Sequence, residues 1–164
     1  MRSGEVTRKT KETNIKTSVV VDGDGNSSVN TSVKFLDHMI DSLATHSLMN
    51  IQIEATGDLV HHTVEDVALS LGEAINKALG DRKGIKRFGF AMIPMDDALS
   101  YSAIDMIKNV EDAEAYSAID LVKRPFQFTD LKIDKDGIEG MPAEDIYHFI
   151  QSFSQLLQAN IHVV

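Results

Sequence analysis

From Val6 to Val21 the chain spaces Thr, Val and Ile among charged residues and ends on Ser18-Val19-Val20-Val21, a pattern that predicts extended backbone. Asp22-Gly23-Asp24-Gly25-Asn26 follows. Glycine supplies positive φ and Asx side chains tolerate it, so this stretch predicts a hairpin turn, with a second strand over Ser27–Val33 pairing back. Between Phe35 and Leu48 the period changes to that of a helix, with Phe35, Met39 and Leu43 on one stripe and Leu36 and Ile40 beside it. Asn50–Ala55 alternates strictly, as a half-buried strand does. The stretch Gly57–Gly80 predicts an amphipathic helix with Val67, Leu71, Ala74, Ile75 and Ala78 as its core face and Gly80 as its stop signal. These elements make a split β-α-β unit with two helices on one face of a sheet.

The same grammar then restarts. A basic link, Asp81–Phe88, leads to extended segments around Leu99–Ile107 and Phe126–Ile133, a turn at Asp134–Gly137, a helix opened by Pro142 and running to Gln158, and a strand over Asn160–Val164. Laying Asn160 on Asn50 aligns Ile161 with Ile51, Phe149 with Met39 and His148 with His38, which implies an internal duplication. The expected fold class is therefore α+β: tandem duplicated split β-α-β units, residues 1–86 and 87–164, with helices on one face of each four-stranded sheet. The second unit is expected to be incomplete, since nothing after Val164 matches the Gly57–Gly80 helix. A local repeat lies within 96–123: Asp96–Lys108 recurs as Glu111–Lys123, with Tyr-Ser-Ala-Ile-Asp identical in both copies. One copy fits the expected strand; the other is either a surface insertion or an added edge strand.

Composition narrows the chemistry. The 164 residues contain no cysteine, so a metal would be held by imidazole and carboxylate. The formal net charge of −9 argues against a general nucleic-acid binder, though a small anionic substrate fits if local arginines receive it. With no apolar run of membrane-spanning length and no apolar leader, no membrane partner is expected and the chain reads as cytoplasmic.

His61, His62 and Glu65 fall on one patch at the start of their helix, which suits a divalent metal; taken alone, the same pattern is equally a capped helix start with a dipole-paired glutamate. His38 and His46 on the preceding helix make four histidines between 38 and 62, and together these favour the metal reading. His162 alternates with Ile161 and Val163 and by itself reads as structural, while His148 reads as an ordinary helix-surface residue. The basic groups Arg82-Lys83, Lys86-Arg87 and Lys123-Arg124 are either a solvated face or a clamp for phosphate or carboxylate.

Phe35-Leu36-Asp37-His38-Met39, Ala44-Thr45-His46, His61-His62-Thr63-Val64-Glu65-Asp66 and Arg82–Gly89, followed by Pro94–Ala98 and Lys123-Arg124-Pro125, keep the order and identity of motifs in one family. In these the chain resembles imidazoleglycerol-phosphate dehydratase, the hydro-lyase of histidine biosynthesis. The resemblance implies loss of water from imidazole glycerol phosphate to give imidazole acetol phosphate, at a pair of manganese ions shared between neighbouring subunits of a homo-oligomer of about 24 copies. Carried over by motif, His38, His46, His61, His62, Glu65 and His162 are metal-binding. Glu12 and Glu65 are catalytic, and Glu12 also contacts substrate as the acid/base. His38, Arg87 and Arg124 contact the substrate, the arginines through its phosphate. The family's second His-His-x-x-Glu motif and a following Ser-x-Lys segment would lie beyond Val164, and the Arg87-to-Arg124 spacing exceeds the family pattern by about the length of the local repeat. Two other readings accompany this one: a catalytically impaired metal-binding assembly variant of the same fold, and a metal hydrolase built on the His-His-x-x-Glu fragment.

Overall fold

The computed structural model describes residues 1–106, 125–134 and 136–164. The second copy of the local repeat and Arg124 lie outside the described residues. No helix among the described residues is long and apolar enough to cross a membrane.

The extended run at the start divides into two strands, β1 (Ser3–Lys9) and β2 (Thr13–Val20), paired antiparallel from Ser3↔Val20 to Lys9↔Asn14. The turn between them contains no glycine, proline or Asx residue. It is closed by the Thr10 hydroxyl, which accepts from the Glu12 and Thr13 amides, and by Thr10 N–H donating to the Thr13 carbonyl. Beyond β2 come β3 (Ser27–Asn30), α1 (Lys34–Ser47), β4 (Asn50–Gly57) and α2 (Val60–Leu79).

The expected hairpin between β2 and β3 does not form. The first sheet has the order β1-β2-β4-β3: β4 takes the free edge of β2, and β3 lies beyond it, parallel to β4. The Asp22–Asn26 segment is a crossing rather than a hairpin turn. Asn50 fixes it, its Oδ1 accepting from the Asp24 and Asn26 amides at 3.0 Å each.

Alternation places Ile15 and Val19 of β2 and Ile51 and Ile53 of β4 in the core, all 0% exposed. Across that face lies α2, burying Val64, Val67, Leu71, Ala74, Ile75 and Ala78 and ending at Gly80, whose φ of 55° suits glycine. Helix α1 covers the sheet over β3 and β4 and buries Leu36, Ile40 and Ala44, while Met39 remains 48% exposed. The buried stripe is thus shifted by one residue from the expected one, because a helix near a sheet edge hides only a narrow i, i+4 face.

The second sheet comprises β5 (Phe88–Met95), β6 (Ala98–Met106), β7 (Gln127–Thr129) and β8 (Ala159–Val163), with α3 (Ala143–Leu157) against β7 and β8. Its order, β5-β6-β8-β7, repeats that of the first sheet, including the one parallel pair. The duplication reaches single hydrogen bonds. Asn160 Oδ1 accepts from Phe126 N–H and Ile161 N–H donates to the Phe126 carbonyl, as Asn50 and Ile51 do with Asn26. Leu48 and Gln158, at the ends of α1 and α3, share the left-handed cap. The first copy of the local repeat supplies β6.

Strand β5 was absent from the pattern because Phe-Gly-Phe-Ala-Met-Ile-Pro-Met does not alternate. Much of it is exposed, with Phe88 at 66% and Phe90 at 91%. Pro142 caps α3 instead of lying in its first turn.

Helices α2 and α3 run parallel and pack on each other, joining the two sheets. Gly72 permits the approach: a Cβ there would lie 2.7 Å from the Phe153 carbonyl oxygen and 2.9 Å from the Leu157 nitrogen.

Candidate functional site

The first turn of α2 carries His61 and His62 to the place where the β1–β2 turn and the start of α3 converge. Glu12 sits in that turn, and its carbonyl accepts from Asp58 N–H at 3.1 Å, tying the turn to the segment entering α2. A shallow cleft of about 290 Å³ is lined by Arg8, Thr10, Glu12, His62, Glu65 and Asp66. Three of the sequence-predicted residues, Glu12, His62 and Glu65, therefore share one opening.

Its floor is a buried polar knot. Asp66 accepts from Arg8 Nε at 2.6 Å and from the Thr13 hydroxyl at 2.5 Å, locking both strands of the turn to α2. A carboxylate this buried is stable only when its oxygens are satisfied in this way.

The two histidines are held differently. His62 Nδ1 lies 2.7 Å from Asp58 Oδ1 on its own segment. That hydrogen bond raises the imidazole above its ordinary value, with the Asp58, Glu12 and Asp66 charges adding to it, and holds the Asp58 carboxyl below its own. His61 turns towards α3, with Nδ1 2.7 Å from Asp145 Oδ1, Nε2 4.0 Å from Glu65 Oε2 and its ring edge-on to His148 at 5.1 Å. His61, Asp145 and His148 form the one group of three potential metal ligands found among the described residues.

His38 and His46 are exposed on α1, and His162 is exposed on β8 beside the rings of Phe126 and Phe128. No such group includes any of the three, so one chain does not gather the expected ligand set around a single point. Arg87 makes a two-pronged contact with Asp105, Nε to Oδ1 at 2.5 Å and Nη2 to Oδ2 at 2.9 Å, and its guanidinium stacks over Phe88. Arg82, which the sequence left between a solvated face and an anion clamp, is neither. It is 1% exposed and spends its fork on the carbonyls of Leu157 and Gln158 and on Asn76 Oδ1.

Sequence reasoning missed Arg8, Asp58, Asp66 and Asp145 and left His148 aside. Two signals were available: the Asp66 that extends the His-His-x-x-Glu run, and the i, i+3 spacing of Asp145 and His148 at a helix start.

Comparison with known proteins gives the family of the chain. The sequence profile of imidazoleglycerol-phosphate dehydratase matches residues 31–164. The enzyme of that name from Methanothermobacter thermautotrophicus is 46% identical over 165 residues, covering 99% of this chain and 77% of the relative. The chain belongs to the imidazoleglycerol-phosphate dehydratase family. The Geobacter sulfurreducens dehydratase is 42% identical with the same coverage.

Among solved structures, imidazoleglycerol-phosphate dehydratase from Staphylococcus aureus superposes with a TM-score of 0.79 at 24% identity, over 98% of this chain and 82% of that one, a likeness of fold. The Pyrococcus furiosus enzyme, solved in complex with (S)-C348, gives 0.75 at 31% identity over 96% and 77%. In this dehydratase family member, the two four-stranded sheets and the helices between them match the family architecture.

Proposed function

We propose that this chain is the hydro-lyase of histidine biosynthesis that dehydrates imidazole glycerol phosphate to imidazole acetol phosphate. The observation that carries the reading is the cleft that unites Glu12 with His62 and Glu65 in a chain of dehydratase-family sequence. Glu12 stands at the tip of a turn fixed by the Thr10 hydroxyl and by Asp58, where a carboxylate can take the carbon-bound proton of a substrate lying over α2.

The donors fit a divalent metal: imidazole and carboxylate groups, with both first-turn histidines bound to carboxylates through Nδ1 and their Nε2 atoms left to face a cation. We assign manganese there, held by His61, His62 and Glu65 together with His38, His46 and His162. The ligands that lie apart within one chain are brought together between subunits of a homo-oligomer of about 24 copies. A metal held by these residues would supply electrostatic stabilisation of the negative charge that builds on the substrate's imidazole ring. His38 also contacts the substrate, and Glu65 serves the chemistry through its place beside His61 and Glu12. Arg87 and Arg124 receive the phosphate, Arg87 exchanging Asp105 for the substrate anion.

Glu12→Gln tests the assignment. Turnover should fall by about 10²-fold or more, the loss typical of a removed general base, with metal content and particle size unchanged. Retained turnover would remove Glu12 from the proton-transfer step. Metal bound without turnover by the unsubstituted chain would favour the catalytically impaired assembly variant.

A further inference from the structure

We propose that Asp145 is a positioning residue for the metal centre: it accepts the Nδ1 proton of His61 and so fixes that ring in the tautomer whose Nε2 faces Glu65. The inference rests on the reading that His61 and Glu65 hold metal. The two residues that meet are 84 positions apart, His61 in the first turn of α2 and Asp145 in the first turn of α3, with Nδ1 and Oδ1 at 2.7 Å. Asp145 is 2% exposed. A carboxylate so buried requires a donor, which the His61 Nδ1–H supplies.

With the proton on Nδ1, the free lone pair lies on Nε2. That nitrogen is 4.0 Å from Glu65 Oε2, close enough for one cation to engage both after a small side-chain adjustment. His148 closes the other side of the ring, its imidazole meeting that of His61 edge-on.

His62 shows the same device with a different anchor. Its Nδ1 is bound to Asp58, four residues earlier and more than half exposed, so its orientation is settled within its own segment. The orientation of His61 depends instead on α3 being seated on α2. Arg82 fixes the far end of the same helix pair by holding the Leu157 and Gln158 carbonyls. The helix pair that joins the two sheets thereby sets the aim of one metal-binding nitrogen and not of its neighbour. Carboxylate partners of this kind orient metal-binding imidazoles and raise their basicity, and their loss costs about 10–100-fold in metal affinity.

The test uses the full chain labelled with ¹⁵N-histidine, metal-free and then loaded with zinc as a diamagnetic probe. The His61 resonances are assigned by difference from His61→Gln. The proposal expects His61 protonated at Nδ1 in the metal-free chain, and zinc contacting Nε2 alone. Asp145→Asn should weaken zinc binding by about 10–100-fold, and Glu144→Gln on the neighbouring exposed residue should change it by less than about twofold.

A metal-free His61 protonated at Nε2, zinc seated on Nδ1 and Asp145 itself, or an Asp145→Asn affinity equal to that of the unsubstituted chain would each overturn it. Should Asp145→Asn not fold, the tautomer and the zinc-contacting nitrogen of the unsubstituted chain decide the matter. Zinc bound with the wrong tautomer defeats this proposal alone. Failure of the unsubstituted chain to bind zinc defeats the metal reading beneath it.

Discussion

Arg82 is a charge placed where an apolar residue would ordinarily lie, and its partners explain why. Helix α3 ends against α2 with Leu157 buried, and the guanidinium satisfies the Leu157 and Gln158 carbonyls and reaches Asn76 as well. Burial pulls Arg82 below its ordinary value, a cost met by those hydrogen bonds. Arg82→Met should keep the volume yet leave the buried Leu157 carbonyl unpaired, lowering unfolding free energy in a denaturant titration by about 2–4 kcal/mol. A change below about 0.5 kcal/mol, the size typical of a surface substitution, would mean that water or another donor replaces the guanidinium.

At this scale the sequence was legible where chemistry is local. His61, His62 and Glu65 declare themselves because helical spacing alone brings them together. Asp145 and Thr13 do not, because their partners His61 and Asp66 lie 84 and 53 residues away and only the tertiary fold makes them neighbours.

Between elements, the decisive feature is the close approach of α2 and α3. Gly72 faces the backbone of Phe153 and Leu157, and a methyl group there would meet the Phe153 carbonyl at 2.7 Å. Gly72→Ala gains helix propensity of about 1 kcal/mol but forces apart two helices already in backbone contact. We expect net destabilisation of about 1–3 kcal/mol by thermal or denaturant unfolding, together with weaker metal binding, since the same helix pair holds His61 to Asp145. A stabilised Gly72→Ala variant would show that the helices are less closely packed.

The helices and the alternating strand β4 could be read from pattern, because each buries one regular face. The turn at Thr10–Glu12 was hidden, being made by a threonine hydroxyl in place of the usual turn residues. The pairing of β3 was misread because a good turn sequence fixes a change of direction and not a partner: the edge of β2 was already taken by β4. Strand β5 escaped because an exposed strand carries no alternation.

For the whole molecule, the duplication is the organising fact. Two sheets of identical order, each led into its parallel pair by an asparagine, are joined by the contact of α2 with α3. The repeat was visible in the sequence because Asn50-Ile51 and Asn160-Ile161 occupy equivalent structural positions. The spacing of the site was not visible: His38, His46, His61 and His62 cluster in the sequence and His162 joins them only through the family resemblance, yet no group of potential metal ligands among the described residues contains His38, His46 or His162. Under the proposed function, assembly between copies would bring these groups together, and metal binding and particle mass are then expected to rise and fall together.

The most direct measurement is turnover of imidazole glycerol phosphate by the purified chain as isolated, after chelation, and after manganese is restored. The account predicts that imidazole acetol phosphate is formed, that chelation abolishes its formation and that manganese restores it. Turnover that survives complete chelation, or a folded, metal-loaded protein that forms no product, would contradict it.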